Sequence, residues 1–360
     1  MSSVVLNVAS LSRPWRGNDP FLFCAHHIDH YPPADGAMGV PARFLDLDSM
    51  ADARPPKQAF RMYHGTRIPG FPRHPHRGFE TITYVRQGLV DHADSMGGSA
   101  RYGAGDVQWL TAGQGVAHSE MFPLADDDQG NTLELFQIWL NLPAADKMAA
   151  PGFSIFWSEQ IPVWRGAATH GSTTVNEVIV IAGEFQPAQG SALKPPRPPR
   201  ASWASAVTNE VALWLIRLSP GQSIEIPAAR YSGTRRSLYV FAGSSLSIDG
   251  AAYPTQTQIE VRATRSFVAA NSGQTLLEIL LMQGQPIAEP VVASGPFVMN
   301  DEAGLRQAHA DFSATQFGGW PWREDGPVHP KAAGRFSLRA PAASTEAERD
   351  CPVPSDTPST

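Results

Sequence analysis

The sequence predicts an all-β protein, two antiparallel barrels in tandem followed by a short C-terminal helix. Three observations carry that prediction. Short β-branched, aromatic or leucine-rich runs bounded by Gly, Pro, Asn or Asp recur along the chain, the signature of strands and turns. The 31 glycines and 32 prolines among 360 residues favour many turns over long helices. "TYVRQGLVDHAD" (83–94) and "LYVFAGSSLSID" (238–249) both read strand, glycine turn, strand, a loose internal duplication. Short strands at such spacing close into sandwiches or barrels.

Taken in order, the first series of strands is "RFLDLD" (43–48), "ETITYVRQGLVDHAD" (80–94), "DVQWLT" (106–111) and "LELFQIWLNL" (133–142). After "LPAADKMAAPG" the second series runs from "TVNEVIVIAGEF" through "EVALWLIRLS", "QSIEIPA", "RSLYVFAGSSLSIDG", "QIEVRA" and "SFVAANSG" to "TLLEILLMQG". The helix is expected in "DEAGLRQAHADFSATQFGGW" (301–320), where Leu305, Ala308 and Phe312 share one helical face and Asp301–Glu302 stand near its start. The expected domains are an N-terminal barrel over 1–160, a second barrel over 161–290, a C-terminal segment with the helix over 291–337, and a tail at 338–360. The tail is rich in Ala, Pro, Ser, Thr and Glu and is expected to be disordered.

Composition narrows the function classes. Apolar residues make up 42% and charged residues 17%, which suits a globular protein with sizeable cores. A formal net charge of −6 gives no pull toward nucleic acid or an anionic membrane. The start "MSSVVLNVASLSRPW" lacks the pattern of a secretory signal, and no apolar run reaches the length of a membrane span. Only Cys24 and Cys351 occur, so no disulfide framework is expected and the cytoplasm is the default compartment. No Ser/His/Asp order, P-loop or GxGxxG motif appears, which leaves acyl transfer, phosphoryl transfer and dinucleotide binding without support.

The histidines are distributed unevenly. They stand at 26, 27, 30, 64, 74, 76, 92, 118, 170, 309 and 329, and the stretch 172–290 holds none, so the second barrel is expected to be metal-free. In "FPRHPHRGFETITYV" (71–85), His74, His76 and Glu80 share parity and would face one way on a regular strand. In "GDVQWLTAGQGVAHSEM" (105–121), His118 and Glu120 repeat the i, i+2 spacing. Two antiparallel strands can therefore aim His74, His76, His118 and one glutamate at a common interior point. Three neutral imidazoles and a carboxylate suit Fe, Mn, Co, Ni, Cu or Zn. Strand parity alone does not choose between Glu80 and Glu120.

"HPHRGFETITYV", "GDVQWLTAGQGVAHSEM", "FQIWLNLP" and, far downstream, "EPVVASGPFVMN" (289–300) closely resemble the pirin family, bicupins of the cupin superfamily. The resemblance spans roughly residues 18–337 and is weak through 172–285. It implies two cupin (jelly-roll) barrels, with metal ligands at His74, His76, His118 and Glu120. Cupins in general take their carboxylate from the first motif, which would nominate Glu80; the pirin match and the His-x-Glu coupling favour Glu120. Thr111, where the general cupin motif carries a proline, is a departure that is itself pirin-like.

Similarity to pirins with quercetin 2,3-dioxygenase activity implies a metal-dependent dioxygenase, most simply with Fe(II), acting on flavonol-like or other enolizable aromatic substrates with O2. Zn, Mn, Co, Ni and Cu are the other metals the ligand set would take. Glu120 is then both ligand and general base. Similarity to eukaryotic pirins implies the alternative, an iron-dependent, redox-responsive regulator of a partner protein. Neither reading involves direct contact with nucleic acid or a membrane. His26 and His30 stand at i, i+4, yet Pro20, Pro32 and Pro33 argue against a helix there, and a surface or interface role is expected for His26, His27 and His30. His64 is expected near the cavity mouth or in a loop; His92 shares the parity of His76; Gln137 could offer an amide inside the barrel; Cys24 is expected to be a buried apolar residue.

Overall fold

The computed structural model describes residues 3–45, 60–166, 174–339 and 349–352. Strands dominate, and Glu302–Thr315 is the one α-helix among the described residues. The chain separates into two compact units, residues 1–24 with 160–288 and residues 25–159 with 289–360. The units interleave along the chain, whereas the sequence reading ran them end to end. The cause is non-local pairing: Val5–Ser10 lies antiparallel to Thr257–Arg262, with Val8 opposite Ile259.

The histidine-poor unit packs a seven-stranded sheet and a four-stranded sheet. Strand alternation fills the space between them with Leu238 and Val240, Trp214 and Ile216, and Leu277, Ile279 and Leu281, all in one buried cluster. Its strands at 235–242 and 245–248 meet at Gly243, whose φ of 103° is a conformation natural to glycine.

Two six-stranded sheets carry the imidazoles. One is ordered Gly152–Phe156, Val107–Thr111, Phe79–Gln87, Asn131–Asn141, Phe21–Tyr31, Trp15–Arg16. The other is ordered Arg349–Asp350, Phe336–Leu338, Ser99–Gly103, Leu89–Asp94, Val116–Met121, Gly70–His76. Gly88 turns the chain from the first sheet into the second at φ 82°, in the position Gly243 holds in the other unit. The expected strand at 43–48 is not found in its described part, because Pro41 introduces a 3-10 turn at Ala42–Phe44; residues 46–48 lie outside the described residues.

The helix begins where the sequence placed it. The Asp301 carboxylate accepts from the Gly304 N–H at 2.7 Å, and Leu305 and Ala308 are buried. It stops at Thr315, short of 320, because Gln316 turns into the left-handed region at φ 51°. Most of the tail expected to be disordered, 340–348 and 353–360, lies outside the described residues. Arg349–Asp350 pairs with Phe336–Leu338. No helix among the described residues is long and apolar enough to cross a membrane.

Candidate metal centre

Gly70–His76 carries two prolines, Pro72 and Pro75, which cannot donate to a ladder on both sides. It accordingly forms the edge of its sheet, laddered to Val116–Met121, with a single further bridge from Gly70 to Tyr63. His74 stands opposite His118, and a register irregularity between Phe71 and His74 brings Phe71 opposite Glu120. The next strand inward sets His92 opposite Glu120 and Asp94 opposite His118.

One ligand atom from each of His74, His76 and His118 lies within 4.8 Å of the others. The rings are 4.4 Å (74 to 118), 4.8 Å (74 to 76) and 5.0 Å (76 to 118) apart between centroids, tilted rather than stacked. The His74 Nδ1–H donates to the Pro72 carbonyl at 2.9 Å, which leaves its Nε2 lone pair available. Buried His76 Nδ1 and both ring nitrogens of fully buried His118 have no hydrogen-bond partner. Burial holds the His74 imidazole down to a pKa of about 4 and pushes His76 and His118 well below the ordinary histidine range, with His74 further disfavouring charge on His76, and His74 and His76 on His118. The three rings are therefore neutral at pH 7, the form that ligates a metal. Unsatisfied imidazole nitrogens converging in a buried space make a possible three-histidine metal site, and a first-row transition ion suits this donor set.

Glu120 lies beside the cluster, with a carboxylate oxygen 3.8 Å from His118 Nε2. Gln137 donates to one oxygen at 2.8 Å and Thr83 to the other at 3.3 Å. Burial raises the Glu120 carboxyl above its usual range, while His92, Gln137 and Thr83 pull it down. His92 is fully buried, its Nε2 3.2 Å from Asp94 and its ring 5.5 Å from His118. Phe79 and Trp139 wall the site, with ring centroids 5.1 and 5.4 Å from His76.

Glu80 is not on this face. The chain leaves the ligand strand at Arg77 and turns at Gly78, φ 86°, so that Phe79–Gln87 belongs to the other sheet. There Phe79 and Thr83 reach the imidazoles and Glu120, and alternation points Glu80 away from them. Thr111 donates to Glu80 at 2.6 Å, a bond that a proline at 111 could not supply. The shared parity of 74, 76 and 80 thus fails because the strand is broken between them. Arg77 is turned to the Gln114 carbonyl and Asp311.

The remaining predicted histidines lie apart from the cluster. His26, His27 and His30 sit on the strand Phe21–Tyr31, not a helix. They contact Glu134 (3.0 Å), the Tyr63 hydroxyl (2.9 Å) and Thr132 (3.2 Å). His64 is exposed, its ring 5.7 Å from Phe71, and His170 lies outside the described residues. Cys24 is fully buried and its thiol pKa is pushed up by burial, so it is an apolar core residue. Sequence reading missed Thr83 and Asp94. The signal for Asp94 was present in "HAD", which repeats the i, i+2 spacing of the ligand motifs.

With this geometry in view, the comparisons with known proteins decide the family. The Pirin family profile matches residues 19–140, and that of the Pirin C-terminal cupin domain matches 213–318. A Pseudomonas aeruginosa protein, provisionally named a quercetin 2,3-dioxygenase, is 33% identical over 278 residues, 77% of this chain and 86% of its own. The chain belongs to the pirin family. Human pirin is 32% identical over 263 residues, 70% of this chain and 79% of its own. The crystal structure of a quercetin 2,3-dioxygenase from Acinetobacter baumannii superposes with a TM-score of 0.63 at 25% identity, covering 88% of this chain and 98% of that one. Both barrels are cupin domains, as the pirin resemblance implied.

Proposed function

We propose that this pirin-family cupin is a metal-dependent dioxygenase that cleaves flavonol-like or other enolizable aromatic substrates, with His74, His76, His118 and Glu120 as its metal ligands and Fe(II) as its metal. The observation that carries the reading is the convergence of three neutral imidazoles within 4.8 Å, two of them buried and His74 half-buried, beside a buried carboxylate. The names borne by the Pseudomonas and Acinetobacter relatives supply the reaction class. When bound, a redox-active ion supplies a Lewis acid for the substrate's hydroxyl oxygen and an electron source for O2.

The chain's own residues do the rest. Glu120 accepts the substrate's hydroxyl proton; its raised pKa makes it a stronger base than an exposed glutamate. Gln137 and Thr83 hold the carboxylate in place from opposite sides. Asp94 fixes the ring of His92 beside it. Phe79 and Trp139 exclude water from the face occupied by His76. The test is anaerobic loading with Fe(II), then quercetin and O2. Ring cleavage with release of carbon monoxide is expected, and its absence from demonstrably loaded protein would refute the flavonol version.

A further inference from the structure

The histidine-poor unit has a buried polar feature of its own. Counting back three residues from the tyrosine of each duplicated segment, Tyr84 and Tyr239, reaches Thr81 in one barrel and Arg236 in the other. Thr81 pairs with Trp139, on the wall of the imidazole chamber, and Arg236 pairs with Gln283. Arg236 alternates with Leu238 and Val240, and Gln283 with Leu281 and Ile279, all of which line the barrel core. An arginine and a glutamine therefore face inward where the first barrel carries its metal-site wall.

Arg236 is 2% exposed, and no carboxylate among the described residues forms an ion pair with it. Its Nε donates to Gln283 Oε1 at 2.7 Å, and Gln283 donates in turn to the Glu210 carbonyl at 3.0 Å. Nη1 is buried and has no partner. The Glu210 carboxylate attracts the guanidinium from a distance, but its oxygens accept from Arg230 N–H, Tyr231 N–H and the Thr234 hydroxyl. Arg236 is the second residue of its strand, after exposed Arg235, and so stands near the barrel's end. A buried cation without a direct counter-charge is costly, and an oxyanion would satisfy both the charge and the orphaned donor.

We propose that the second barrel binds a small monocarboxylate at Arg236, with Nη1 donating to the carboxylate oxygens. The negative field of Glu210 selects a monoanion over a dianion such as phosphate. This site is independent of the dioxygenase reading, since no proposed metal ligand takes part.

The experiment measures the Tm of the full chain in sodium acetate, with sodium chloride at equal ionic strength and pH as reference. Acetate at about 100 mM is expected to raise the Tm by roughly 2–4 °C in wild type and in His74→Ala, and to leave Arg236→Met unmoved. No rise in wild type, an equal rise in Arg236→Met, or loss of the rise in His74→Ala would overturn the proposal. So would an equal or larger rise with phosphate. If Arg236→Met does not fold, Arg236→Lys replaces it, and a half-maximal acetate concentration at least about fivefold higher is expected, because lysine lacks the planar fork. An unchanged concentration would overturn the proposal.

Discussion

The two barrels are built on one plan and filled differently. Each carries a strand that ends in Tyr-Val-x-x-Gly, turns at a positive-φ glycine (Gly88 or Gly243) and enters the opposite sheet. In one, the inward positions hold His74, His76, His118, His92, Glu120 and Gln137; in the other they hold Leu238, Val240, Ile279 and Leu281. Backbone geometry is common to both, so the chemistry resides in which side chains occupy the inward parity. An imidazole-lined interior gives up apolar packing that an aliphatic interior keeps.

The contrast can be broken by moving each barrel's defining feature. The largest expected effect is on turnover. On the proposed dioxygenase reading, Glu120→Gln keeps the shape but removes the base, so the rate of substrate oxidation should fall about 10²–10⁴-fold, read by single-turnover O2 consumption. In the other barrel, Leu281→Ala opens a cavity beneath a fully buried side chain. It should cost about 2–5 kcal/mol in denaturant unfolding while leaving metal per folded chain unchanged. A loss of metal in that variant would mean that the second barrel takes part in the site.

Titration separates the barrels next. The imidazole of His74 is held down to about 4, and those of His76 and His118 are held down in the same sense. An unfolded chain's histidines take up protons near pH 6.5, so the unfolded state binds more protons below that point. Metal-free protein should therefore lose stability as pH falls from about 6.5 toward about 4, and His74→Asn should flatten the profile. The smallest effect concerns Glu80. Thr111→Val removes its 2.6 Å hydrogen bond and should cost about 1–3 kcal/mol without altering metal content.

The histidine motifs were legible because the strand repeat is two, so His74 with His76 and His118 with Glu120 declare a shared face by spacing alone. The same rule misplaced Glu80, since it holds only within one strand, and nothing in "HPHRGFET" marks Gly78 as the point where the chain changes sheets. The helix start was legible through its Asp301 cap, but its end depended on Gln316 entering the left-handed region without a glycine. The pairing of Val5–Ser10 with Thr257–Arg262 joins strands about 250 residues apart, beyond the reach of local pattern. Arg236 stood inside a recognisable strand, and only its register opposite Gln283 shows what it faces.

The central claim is that the first barrel's three imidazoles form the metal centre and that the second barrel holds no metal. Its most direct test is metal content per chain after purification without added metal, for wild type, His118→Ala and Glu80→Gln, under competition from a chelator. The account predicts one ion per chain in wild type and in Glu80→Gln, and at least about 100-fold weaker retention in His118→Ala. Undiminished metal in His118→Ala, or its loss in Glu80→Gln alone, would contradict it.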